Sequence, residues 1–213
     1  MVNLKDFAKT ISDETGIGRV HAYAIVDDKT TTDTMIEVVE QGGEVKCFDF
    51  ATYWRARSII GGKRSVIFSC REKLEPGIIK KITQVTETGS PIIVNSLQKL
   101  RAVKKVNKIG VNLSPHKNEP GITSIAELEN MLDSLGHTVR TVSYCLNRHE
   151  SVDDLKMVLN AIRGSKHLSK ATIIDLGEWT FANFEEAAPY MELLREFRDA
   201  AKVNFEFRFG VVV

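Results

Sequence analysis

Residues 41–57, QGGEVKCFDFATYWRAR, decide how the chain folds, because the break they open on and the run that follows it set what the first half of the chain is built from. Gly42 and Gly43 break whatever precedes them, and the run from Glu44 to Arg57 is rich in the aromatic and β-branched residues that strands favour. It reads as a strand. The pair Gly61-Gly62 then supplies a turn, and Ser65–Cys70 returns as a second strand, so the segment reads as a hairpin.

Working outward from that hairpin, the preceding segment reads as two helices. Leu4, Phe7, Ala8 and Ile11 share one helical face before the break at Gly16 and Gly18. A second helix is expected from Arg19 to Gln41 on the spacing of Ala22, Ile25, Val26, Met35, Ile36 and Val39, despite the weak helix formers of DDKTTTDT. After the hairpin, Pro76-Gly77 opens the helical pattern IIKKITQV. Beyond residue 89 five strand-like runs (91–95, 108–113, 138–145, 171–176 and 203–213) alternate with helical patterns at 96–106, 124–135, 152–163 and 184–201. Ser124 with Glu127, and Ser151 before Asp153 and Asp154, mark two of the helix starts. The expected organisation is an α+β domain over 1–88 and an α/β domain with a mainly parallel sheet over 89–213, divided near Gly89-Ser90-Pro91.

Charge is segregated although the total is only +1. Met1–Trp54 has five basic against ten acidic residues, Arg55–Lys108 thirteen against three, and Ile109–Val213 eleven against fifteen. A positive middle between acidic ends is what a polyanion-binding surface requires. No run approaches the length of a membrane-spanning helix, and the N-terminus is charged where a signal peptide needs an apolar centre, so a cytoplasmic location is expected. Cys47, Cys70 and Cys145 are odd in number and widely spaced, and they read as buried free thiols; no metal and no cofactor is expected.

The stretches KDFAKTISDETGIGR, QGGEVKCFDFATY and LEPGIIKKI, in that order, resemble the HU and integration host factor family of histone-like DNA-binding proteins over roughly the first 85 residues. The resemblance implies an intertwined homodimer whose β-arm meets the minor groove, where in that family a tip proline wedges between bases. Here no proline lies between Trp54 and Glu75, the arm is shorter, and Asp49 and Ala51 stand where the family has glycines, so binding without sharp bending is implied. Tyr53 takes a core position of that family; Trp54 stands beside it with no assigned role.

The resemblance makes Arg55, Arg57, Lys63, Arg64, Arg71 and Lys73 phosphate contacts of the arm, joined by Lys80 and Lys81 on the last helix. Lys99, Arg101, Lys104, Lys105 and Lys108 form a second basic run, with 101, 104, 105 and 108 at helical spacing as an additional basic face. Strand-end residues of the second half include Asn112, Ser114, His116, Asn147, His149, Glu150, Asp175 and Glu178, although GxGxxG, GxxxxGK[ST], HExxH and GxSxG are all absent. Three readings follow. The first is a non-enzymatic dimer that binds double-stranded DNA non-specifically, its C-terminal domain meeting a protein partner. The second keeps the HU-like part only as a dimerisation scaffold. The third is an enzyme with a site on the C-terminal sheet around Asp175, Glu178 and His116.

Overall fold

Val20–Ile25, expected within a helix, is a strand (β1), and Phe50–Ile60, expected within a strand, is a helix (α3). Those two exchanges turn the first half into the same alternation as the second. The computed structural model describes residues 2–62, 65–104, 106, 108–117 and 119–213. In chain order the elements are α1 (Leu4–Thr15), β1, α2 (Thr32–Glu40), β2 (Val45–Cys47), α3, β3 (Val66–Cys70), α4 (Ile78–Glu87), β4 (Ile92–Val94), α5 (Leu97–Ala102), β5 (Lys108–Asn112), α6 (Ile125–Leu135), β6 (Thr138–Ser143), α7 (Val152–Gly164), β7 (Ile173–Glu178), α8 (Phe184–Ala200) and β8 (Glu206–Val212).

All eight strands run parallel in sequence order and close into a barrel. Closure is the β1–β8 seam, from Val20 opposite Phe207 to Ile25 opposite Val212. A closed barrel leaves no edge, and β8 pairs on both sides, with β7 and with β1. This is the (β/α)8 architecture, whose loops at the carboxyl ends of the strands carry function.

Local signals explain the misread helix. The Asp49 side chain accepts from Thr52 N at 2.8 Å, capping α3, and Gly61 at φ 71° ends it. Phe50, Tyr53 and Ala56 then fall on one buried face at helical spacing. In β1, Ala22 and Ala24 pack outward beneath the helices while Tyr23 between them points into the barrel. Both faces of the strand are covered, which removes the polar alternation that usually reveals a strand.

The HU-like organisation is therefore corrected on the pairing itself. Phe68, Ser69 and Cys70 of β3 pair with Ile92, Ile93 and Val94 of β4, so the sheet runs across the division expected near residue 89, and no separate α/β sheet exists. Gly61 caps a helix and does not turn a hairpin. Arg55 and Arg57 lie two apart on α3, where side chains do not share a face. Arg55 donates to the carbonyls of Asp27 and Thr30, and Lys63 and Arg64 lie outside the described residues. Helix α5 stops at Ala102, so Arg101 shares no helical face with Lys104 or with Lys108, which opens β5; Lys105 lies outside the described residues. Among the described residues no helix is long and apolar enough to cross a membrane.

The seam tolerates no extra volume. A Cβ added at Gly210 of β8 would lie 2.6 Å from Ile25 Cδ1 and 2.7 Å from Tyr23 Cε2. Gly210→Ala is expected to lower stability by about 1–3 kcal/mol through overpacking. Urea denaturation followed by circular dichroism checks this, and an unchanged midpoint would show that the seam relaxes freely.

Candidate active site

Three inward-facing side chains from three strands meet inside the barrel. Lys46 of β2 donates from Nζ to Asp175 Oδ2 of β7 at 2.6 Å, and to the hydroxyl of Tyr23 from β1 at 3.2 Å. Tyr23 in turn donates to Asp175 Oδ1 at 2.8 Å, and the backbone N–H of Gly177 donates to the same oxygen at 3.0 Å. Gly177 adopts φ 76°, a left-handed conformation in which its N–H turns back onto the carboxylate of Asp175. The side chains of Lys46 and Asp175 are each only 2% exposed.

The electrostatics follow from that enclosure. Burial alone would raise the Asp175 carboxyl, but the Lys46 ammonium and the three hydrogen bonds hold it below the ordinary carboxylate range. Burial, and then the Asp175 charge, push the Tyr23 hydroxyl well above its ordinary value, so it remains a neutral donor. A buried ion pair is rarely a gain in stability, since desolvating the two charges offsets their attraction. Its position inside the barrel, with the Gly177 N–H turned onto the carboxylate, marks a functional candidate.

Toward the carboxyl ends of the strands the lining becomes cationic. The Arg71 guanidinium, just beyond β3, lies 3.7 Å from the centroid of the Phe48 ring and donates to Cys145 Sγ at 3.3 Å. Arg71 is exposed and has no carboxylate partner among the described ion pairs. Lys99, buried on α5, donates to Asn95 Oδ1 at 2.8 Å and to the Glu72 carbonyl. Lys46 is thus paired with Asp175, Lys99 with neutral oxygens, and Arg71 with no carboxylate among the described ion pairs.

The expected site residues scatter. Of the proposed phosphate contacts among the described residues, Arg71 alone reaches the barrel mouth. Lys73 is exposed in the following loop, and Lys80 and Lys81 are exposed on α4, with Lys81 over the Phe50 ring. Asp175, expected beside His116 or Glu178, is instead joined to Lys46 and Tyr23; His116 bonds Asp154 at 3.0 Å and Glu178 is exposed. Tyr53 is buried, its hydroxyl meeting Thr88 and Ser90, and Trp54 is exposed. Cys47 and Cys70 are buried free thiols, whereas Cys145 is exposed. Lys46 escaped the sequence reading, although a lysine inside VKC was its one visible signal.

No family model and no curated protein matches the chain. Solved structures do. Diaminopimelate decarboxylase from Helicobacter pylori, complexed with L-lysine, aligns at TM-score 0.72 with 11% identity, covering 98% of this chain and 61% of that one. Arginine decarboxylase of Paramecium bursaria Chlorella virus aligns at TM-score 0.72, 13% identity, over 98% and 61%. Lysine/ornithine decarboxylase from Vibrio vulnificus, complexed with putrescine, aligns at 0.69, 12% identity, over 98% and 60%. The chain spans about three-fifths of these proteins, and at such identity the likeness establishes the barrel fold. With the barrel established, the HU-like fold that implied a histone-like DNA-binding dimer, its DNA partner and a non-enzymatic role is corrected.

Removing one member of the buried cluster leaves the others uncompensated. Asp175→Asn is expected to cost about 3–5 kcal/mol and Tyr23→Phe about 1 kcal/mol, measured by chemical denaturation. Equal, small losses in both variants would show that the cluster is hydrated and not buried.

Proposed function

We propose that the chain is an enzyme that binds a small carboxylic acid at the carboxyl-terminal mouth of its barrel, with Arg71 as the carboxylate contact and Lys46 as the proton donor. The observation that carries the reading is the buried Lys46–Asp175–Tyr23 cluster beneath an unpaired arginine. A guanidinium offers paired N–H donors matched to a carboxylate, and its stacking on Phe48 fixes the plane in which they lie. Lys46 is the ammonium partner of Asp175; when the bond from carbon to a carboxyl group of the bound acid breaks and carbon dioxide leaves, the electron pair stays on that carbon and takes the proton from Nζ, which water then restores. Asp175 stays ionised and keeps the amine aligned for reprotonation, while Tyr23 stays neutral and orients the carboxylate.

The decarboxylases sharing the fold are pyridoxal-dependent. Pyridoxal supplies an electron sink when an amine of the protein holds it as an imine. Lys46 would be the residue to hold it, and its amine would have to leave Asp175 and Tyr23 to do so. Lys46 is the one strand lysine that is buried among the described residues, and its amine is occupied by Asp175 and Tyr23. No step of the proposed chemistry passes through that cofactor.

Several neighbours carry amino acids or amines, and these form matched pairs: L-lysine and cadaverine differ only by the carboxylate. A thermal-shift series with L-lysine, L-ornithine and L-arginine against cadaverine, putrescine and agmatine, extended to simple carboxylic acids, tests the reading. Stabilisation by acids and not by the matched amines, lost in Arg71→Met, is expected. Stabilisation by amines alone, or an unchanged response in Arg71→Met, would overturn the carboxylate assignment. Nuclear magnetic resonance of the stabilising acid in heavy water then reads catalysis. Wild type is expected to incorporate deuterium into it or convert it, and the charge-free Lys46→Met/Asp175→Leu variant is not; an inert wild type would overturn the catalytic role.

A further inference from the structure

Away from the barrel interior, the loops that follow β5 and β6 bring together a second set of chemical groups. One ring nitrogen of His116 and one carboxylate oxygen each of Glu119 and Glu150 all lie within 4.8 Å of one another. Local turns hold them: Glu119 N–H donates to the His116 carbonyl at 3.2 Å, and Glu150 N–H to the Asn147 carbonyl at 3.0 Å. The carboxylates are held too, Glu119 accepting from Ser114 Oγ and Glu150 from Asn147 Nδ2. Asp154, in the first turn of α7, accepts from His116 Nε2 at 3.0 Å. Three carboxylates therefore converge on one imidazole, and none has a lysine or arginine partner among the described ion pairs.

A second observation points to a missing ligand. Tyr144, which directly follows β6, is only 4% exposed, and its hydroxyl has no hydrogen-bond partner among the described residues. A buried hydroxyl left unsatisfied is costly, so it calls for an explanation. Burial, and then the charges of Glu150, Asp154 and Glu119, raise this hydroxyl above its ordinary range, so it lies within the field of the same three carboxylates. A cation with bound water in the cluster gives that hydroxyl a partner.

We propose that His116, Glu119 and Glu150 form a binding site for one divalent transition-metal ion of the zinc class, with a remaining position open to water. Imidazole with carboxylates is a donor set for such ions, and three protein ligands plus water is the arrangement of an open zinc site. Donor atoms around tetrahedral zinc are about 3.4 Å apart at the usual bond lengths. Rotamer adjustment of the two glutamates closes the difference. The Asp154–His116 hydrogen bond has the form of the carboxylate that orients a metal-bound histidine and fixes its tautomer. The ion would tie the β5–α6 loop to the β6–α7 loop at the carboxyl end of the barrel. This assignment does not depend on the chemistry proposed for Lys46.

Calorimetric titration of the chelator-stripped full chain with ZnCl2 tests the site. A Cys145→Ser background prevents the exposed thiol from capturing the ion. One equivalent is expected to bind, with at least tenfold weaker binding in His116→Ala and in Glu150→Gln, each checked for native circular dichroism. A parallel titration with MgCl2 and CaCl2 is expected to show weaker binding. Absence of zinc binding, affinity unchanged in both variants, or a preference for the alkaline-earth ions would overturn the assignment.

Discussion

A closed barrel of eight parallel strands has an interior that side chains must fill, and everything inferred about this protein rests on how it is filled. Apolar branched residues are the ordinary solution. Ile67, Ile93 and Ile173 follow it, but Tyr23, Lys46 and Asp175 occupy neighbouring space with a hydroxyl, an ammonium and a carboxylate. Those three groups satisfy one another almost completely. The seam that closes the barrel, β1 against β8, sets the distance at which Tyr23 meets its partner on β7.

The second half of the chain was readable because its strands and helices are separated by clear punctuation. Gly136 ends α6 in the left-handed conformation, Ser124 and Ser151 cap helices as their sequence context indicates, and five strand-like runs fall on β4 to β8. In the first half the same physics gave misleading patterns. Ala22, Ile25 and Val26 fall at helical spacing, because both faces of a barrel strand are buried; the aromatic FATYW looks extended, although Asp49 and Gly61 supply both helix ends. Once those elements were exchanged, a basic middle segment lost its arm, and its charges dispersed over α3, α4 and α5.

The candidate site was legible only in part, for a physical reason. Asp175 was visible as a carboxylate ending an apolar strand, but its partner Lys46 lies 129 residues away and its second partner 152 residues away. Only closure of the barrel brings them together. Nor did Tyr144 reveal itself, since a tyrosine after a strand is ordinary until its hydroxyl is found enclosed without a partner. Spacing along a chain cannot show which side chains a barrel will turn toward one another.

A fold shared at this identity does not carry chemistry with it. The interior does, and here it holds an ion pair that occupies the buried strand lysine. If that pair exists for chemistry, it should be a burden on stability. The direct measurement is the unfolding free energy of Lys46→Met/Asp175→Leu against wild type. The account predicts a variant at least as stable, by up to about 4 kcal/mol, because both desolvated charges are removed together. A variant destabilised by several kcal/mol would show instead that the pair is a structural strut and that the active site lies elsewhere.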